Sequence, residues 1–118
     1  MSDQSKLEEF RRWALAVLDL AGSPSARQLD YALASDVGVD EIVFQLGDVF
    51  NVAQARLGDG SMDIGEFRWF ETVNRQAWEI ESSSKDLWSE EAVTNDSSWE
   101  ALRNSAVEAR TELSRLWG

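Results

Sequence analysis

The chain reads as an all-α protein, a compact bundle of four to five mostly antiparallel helices. Three observations predict this. Apolar residues recur three and four apart through most of the 118 residues, which is the period of one helical face. No window alternates apolar and polar residues as a half-buried strand would. A single proline, Pro24, interrupts the pattern, and short connections between successive helices favour antiparallel neighbours. The length suits one domain with one core, so residues 1–118 are expected to form a single helical domain.

Each element has its own signal. The first helix carries Leu7, Phe10, Ala14, Val17, Leu18 and Ala21 on one face, and Gly22 follows where a C-cap favours a residue without Cβ. Ser23-Pro24 then reads as an N-cap with proline at the first helical position. It opens a short helix, Pro24 to about Ser35, with Leu29 and Leu33 facing inward. A turn at Gly38 leads to the most regular stripe in the chain: Val39, Ile42, Val43, Leu46, Val49, Phe50, Ala53 and Leu57. This third helix is expected to be central, with another helix crossing closely at Gly47.

The run Leu57-Gly58-Asp59-Gly60 breaks that stripe. A fourth helix starts near Asp63, where Asp63 and Glu66 form a capping-box pattern. Its inner face is Ile64, Phe67, Phe70, Val73, Ala77 and Ile80, with Trp69 and Trp78 to the side, and Ser82-Ser83-Ser84 ends it. A helical turn around Leu87-Trp88 and a polar linker from Thr94 to Ser98 are expected next. The last helix opens with Ser97 and Glu100 as a second capping box and carries Trp99, Leu102, Ala106, Ala109, Leu113 and Leu116, the heptad spacing of a packed seam. The sequence contains no internal repeat.

Composition narrows the function. The chain has 22 acidic residues against 11 basic ones, for a formal net charge of −11, with neither His nor Cys. Without His no side chain titrates near neutral pH at its ordinary pKa. Without Cys there is no thiolate nucleophile, disulfide or thiolate metal site. No apolar run reaches the roughly 18 residues of a membrane span. The segment Met1 to Glu9 is charged where a secretory leader would be apolar, so a cytoplasmic location without membrane contact is expected. No cofactor is implied.

The charge is unevenly spread. Residues 59–96 hold ten acids and three bases, a local charge of −7 and almost two thirds of the whole excess. Trp69, Trp78 and Trp88 lie in the same stretch. Carboxylates steer and select a basic partner, and tryptophan supplies the large apolar anchors that dominate interface energy. The candidate binding residues are therefore Asp59, Asp63, Glu66, Glu71, Glu79, Glu81 and Glu90 as the charged face, with Trp69, Trp78 and Trp88 as anchors. Set against this, acids on exposed helices commonly serve solubility alone, and tryptophans at helical spacing are commonly core.

Three motifs point elsewhere and are weighed on their chemistry. Residues 58–67, Gly-Asp-Gly-Ser-Met-Asp-Ile-Gly-Glu-Phe, resemble the second half of an EF-hand calcium loop, with Asp59, Asp63 and Glu66 at ligand positions. Calcium takes six to eight oxygens as a rule, and the two earlier ligand positions fall on Ala55 and Leu57. A glycine turn running into a capped helix accounts for the same residues. Ala34 to Asp40 has the rhythm of a helix-turn-helix. The helix that follows carries Asp40, Glu41 and Asp48 and no base before Arg56, whereas DNA phosphates demand Lys or Arg. Direct nucleic-acid binding is rejected. Paired carboxylates such as Glu90-Glu91 could act as acid and base, but no phosphate loop, nucleophile elbow or metal triad accompanies them.

The expectation is a non-enzymatic acidic interaction module that binds and inhibits a basic protein, such as a nuclease or toxin. Immunity proteins, antitoxins and counter-defence proteins solve this problem by placing carboxylates where the target expects phosphates. The parallel is one of charge, not of a matched motif. Two alternatives stand beside it. One is a calcium- or ligand-responsive module built on Asp59 to Glu66. The other is a subunit that self-associates through the face from Trp99 to Trp117, with Trp117 unburied.

Overall fold

The structure, a computed structural model, describes residues 2–118, with side chains from Gln4 onward. Helix accounts for 81% of the chain, and no strand occurs among the described residues. Six helices follow in order: α1 Ser2–Ala21, α2 Ser25–Ala34, α3 Asp40–Asp59, α4 Ile64–Glu81, α5 Glu90–Asn95 and α6 Ser97–Trp117. The four long helices form the bundle. Around its section α1 packs on α3, α3 on α4, α4 on α6 and α6 on α1. Midway along α1, Phe10 meets Trp117 at the end of α6, while Gly22, just past the end of α1, approaches Val107 in the middle of α6. The two are thus antiparallel. The tight connection at residues 60–63 makes α3 and α4 antiparallel as well.

The short helices lie across one end. There α2 packs on α1 and α5, and α5 packs on α6. This capped end gathers the start of α3, the end of α4 and the start of α6. The open end gathers the start of α1, the α3–α4 turn and the end of α6. No helix among the described residues is long and apolar enough to cross a membrane.

The core follows the predicted faces. Phe10, Ala14, Val17, Leu18 and Ala21 from α1, Ile42, Val43, Leu46, Val49 and Ala53 from α3, and Phe67, Phe70, Val73, Ala77 and Ile80 from α4 are all buried. Trp99, Leu102, Ala106, Ala109 and Leu113 complete it from α6. Trp99 is wholly enclosed, and its indole N–H donates to the Leu87 carbonyl at 2.7 Å, as a buried indole must if it is not to lose a hydrogen bond.

Several expectations are corrected, each for a physical reason. No long helix is central: α3 is one of four corners. In α2 the fully buried residues are Gln28 and Ala32; Leu29 packs against the core as expected, whereas Leu33 is 84% exposed. Gln28 faces in because its amide donates to the carbonyls of Leu20 at 3.2 Å and Ala21 at 2.9 Å. These lie among the last four carbonyls of α1, which have no partner within their own helix. Arg103 in turn donates to the Gln28 amide oxygen at 3.1 Å and to the Val93 carbonyl at 2.8 Å, tying α1, α2, α5 and α6 together.

The helix starts also shift. Pro24 is the N-cap of α2, with Ser25 the first helical residue; the Ser23 hydroxyl donates back to the Asp19 carbonyl at 2.7 Å. Ser97 does not cap α6; Asp96 does, accepting from the Ser98 N–H at 2.8 Å. Leu87-Trp88 is not helical; Ser89 caps α5, and the expected polar linker from Thr94 to Ser98 shrinks to Asp96 alone, since α5 ends at Asn95 and α6 begins at Ser97. In α4, Ile64 is exposed and Met62 is buried in the preceding turn. The seam of α6 steps from Leu113 to Trp117, so Leu116 faces out.

Candidate interaction site

The ten candidate residues fall into separate groups. Asp59, Asp63 and Glu66 lie at the open end, and each is occupied by a local contact. Asp59 is exposed at the end of α3 and accepts from the Ser61 N–H at 2.8 Å. The Ser61 hydroxyl and N–H, with Arg56 behind them, hold its carboxyl below the usual carboxylate range. Gly60 closes α3 in the left-handed conformation at φ 84°, where a Cβ would be strained. Asp63 caps α4, accepting from the Glu66 N–H at 2.8 Å.

Glu66 does not reach back to complete the capping box. Its side chain is only 15% exposed. The carboxylate accepts from the Trp117 indole N–H at 2.6 Å and lies 4.0 Å from the Arg11 guanidinium. Trp117 stacks on Phe70 with centroids 6.1 Å apart and lies under the Arg11 guanidinium at 5.2 Å. Glu66 is thus part of the open-end packing rather than of an exposed acidic face. No cluster of three or more residues able to hold a metal ion occurs among the described residues. The face from Trp99 to Trp117 is turned inward too, since Trp99 is enclosed and Trp117 packs on the core.

On α4 the candidates divide by side. Trp69 and Trp78 are nine residues apart, which at about 100° per residue sets them half a turn apart around the helix. Trp69 is half-buried against the core, whereas Trp78 is 60% exposed. Phe67 contacts Phe50 of α3 at 5.5 Å, which fixes the side of α4 that faces α3. Glu71, Asn74 and Trp78 continue that stripe by helical spacing. Glu79 and Glu81 are exposed in the last turn of α4, which contains no base.

Trp88 and Glu90 belong to the capped end. Trp88 is partly exposed and packs edge-on against Trp99, with centroids 6.3 Å apart. Its backbone N–H donates to the Asp86 carboxylate at 3.0 Å. Glu90 is exposed in the first turn of α5. The structure thus brings Glu79, Glu81, Trp88 and Glu90 to one end. Glu71 and Trp78 line the α3 side, Trp69 lies on the other flank, and the open-end trio is separate.

The linear sequence hides members of the acidic end. Asp36, in the α2–α3 turn, and Asp40 and Glu41, in the first turn of α3, reach it because α3 runs antiparallel to α4. Phe44, 48% exposed on α3, was also missed. The tight α3–α4 turn was the signal that could have placed them there. Comparison with protein-family models, with curated proteins and with solved structures gives no match, so the chain's own geometry carries the functional argument.

Proposed function

We propose that this chain is a non-enzymatic acidic interaction module that binds a basic protein and occludes its charged surface. The observation that carries the proposal is the absence of internal neutralisation. Four ion pairs form among the described residues: Arg11–Glu66, Arg27–Asp19, Arg110–Asp19 and Arg115–Glu112. Of the ten acids in residues 59–96, Glu66 alone belongs to one. Glu79 and Glu81 are placed against the helix dipole besides. The C-terminus of a helix carries partial negative charge, so each acid in the last turn costs about 0.5 kcal/mol. Carboxylates kept unpaired and at unfavourable positions are what a surface for an external cation requires.

A rigid helical frame suits inhibition, because carboxylates held in place can stand in for the phosphates that a nuclease or other basic protein binds. The test compares tagged wild-type protein with Glu79→Lys/Glu81→Lys in a source lysate, at low salt and at about 0.5 M salt, where exposed pairs are screened. A basic protein retained by wild type, lost by the variant and weakened by salt is the expected result. Because the substitution relieves repulsion at the helix end, the variant should melt no lower than wild type. Equal capture by the two folded proteins would sink the proposal.

A further inference from the structure

We infer that the cavity between α1 and the last turn of α6, at the open end, binds a small organic carboxylate: an apolar body carrying one negative charge. The site is independent of the acidic surface proposed above.

The distribution of charge is the first observation. Two cavities open along the α1–α6 groove, one of about 450 Å³ towards the open end and one of about 190 Å³ beyond it. Together they are lined by four arginines, Arg11, Arg12, Arg27 and Arg110, and by two acids, Glu8 and Asp19. The groove thus holds four of the chain's 11 basic residues but only two of its 22 acidic ones. In the smaller cavity Asp19 is shared between Arg27 at 3.1 Å and Arg110 at 3.5 Å, so those cations already have an anion. The larger cavity is less well matched.

Arg11 and Arg12 are the reason. Arg11 lies over the Trp117 ring at 5.2 Å and 4.0 Å from Glu66, too far for a hydrogen bond. Its Nε is enclosed and has no hydrogen-bond partner, a cost that a nearby anion offsets by favouring the cation. Arg12 is exposed and joins none of the four ion pairs among the described residues. The guanidinium fork matches a carboxylate in shape as well as in charge. Leu15 and Trp117, both packed against the core, line the same cavity, as does Ser114 with its hydroxyl. Apolar walls with a few polar groups, around a volume of this size, suit a small ligand. Remote acids are screened beyond about 8 Å at physiological salt. A ligand with one charge therefore feels chiefly the two arginines, whereas a polyanion also meets the −11 of the whole chain. Glu8, which accepts from the Gln4 amide at 3.4 Å, lines the cavity too and opposes the ligand.

The test titrates phenylacetate into the isotope-labelled full chain, with neutral phenylacetamide as the control. Shifts should concentrate on the amides of Arg11, Arg12, Leu15 and Ser114 and on the Trp117 indole N–H, and the amide control should bind more weakly. Arg12→Gln and Glu8→Gln each remove one exposed charge, and thermal melts should show both folded. Arg12→Gln is expected to weaken phenylacetate binding by about fivefold or more, and Glu8→Gln to tighten it by about twofold. Shifts centred elsewhere, no saturable shift at millimolar phenylacetate, equal binding of the control, or unchanged affinity in folded Arg12→Gln each overturn the inference.

Discussion

A carboxylate three residues past an N-cap ordinarily turns back to the cap's own N–H. Glu66 instead turns to Trp117, 51 positions away. An indole N–H is donor only, and packed against the buried rings of Phe10 and Phe70 it has few alternative partners. Glu66→Ala is therefore expected to destabilise the fold by about 2 kcal/mol, the range of hydrogen bonds to charged groups, without changing capture of a basic partner. Urea denaturation beside a binding assay checks this, and lost binding at full stability would return Glu66 to the docking surface. Gln28 gives the sharper case. It is wholly buried, donating to two carbonyls and accepting from Arg103. Gln28→Leu would strand those groups and should cost about 3 kcal/mol, again read from urea curves. Neither role was legible in the sequence, because each depends on a contact between residues far apart in the chain. The spacing that placed Leu29 and Leu33 inward carried no information about the open carbonyls at the end of α1.

At the scale of helices, two glycines that look alike in the sequence have opposite meanings. Gly22 reads as a C-cap and Gly47 as a crossing point, but the crossing is at Gly22. A Cβ there would sit 2.8 Å from the Val107 methyl, 3.1 Å from the Val107 backbone N and 3.2 Å from the Leu18 carbonyl oxygen. The methyl can rotate away; the backbone atoms cannot. Gly22→Ala should therefore force α1 and α6 apart at a cost of about 1–3 kcal/mol, whereas Gly47→Ala, meeting nothing, should stabilise by about 1 kcal/mol. Thermal melts of the pair test the assignment by sign alone. The helices themselves were legible because buried faces impose their period on the chain. The four long stripes predicted from spacing are the four corners of the bundle. What spacing does not encode is which helices become neighbours, so a close approach and an open helix surface could not be told apart. For the same reason Trp69, Trp78 and Trp88 seemed one cluster by chain position, yet Trp69 and Trp78 face opposite flanks of α4.

At the scale of the molecule, charge and shape are coupled through the antiparallel packing. The acids of residues 59–96 do not stay together in space. Asp59, Asp63 and Glu66 go to the open end with Arg11 and Arg56, while Glu79, Glu81 and Glu90 go to the capped end and meet Asp36, Asp40 and Glu41 there. Total charge and its clustering were legible in the sequence, but its division between ends needed the direction of each helix. A net charge of −11 with four ion pairs among the described residues makes self-repulsion the larger electrostatic effect. The pairs are mostly solvent-exposed and contribute little each, whereas repulsion among like charges opposes the compact state as a whole. Raising sodium chloride from about 0.02 M to about 0.5 M shortens the screening length from tens of ångströms to a few. The melting temperature of the free protein should therefore rise with salt, while affinity for a basic partner falls over the same range. A melting temperature that falls with salt would mean that internal ion pairing outweighs repulsion, and the capped end would then lose its character as an unneutralised surface. The opposed slopes follow from one cause, since the same unpaired carboxylates that strain the free bundle attract the partner.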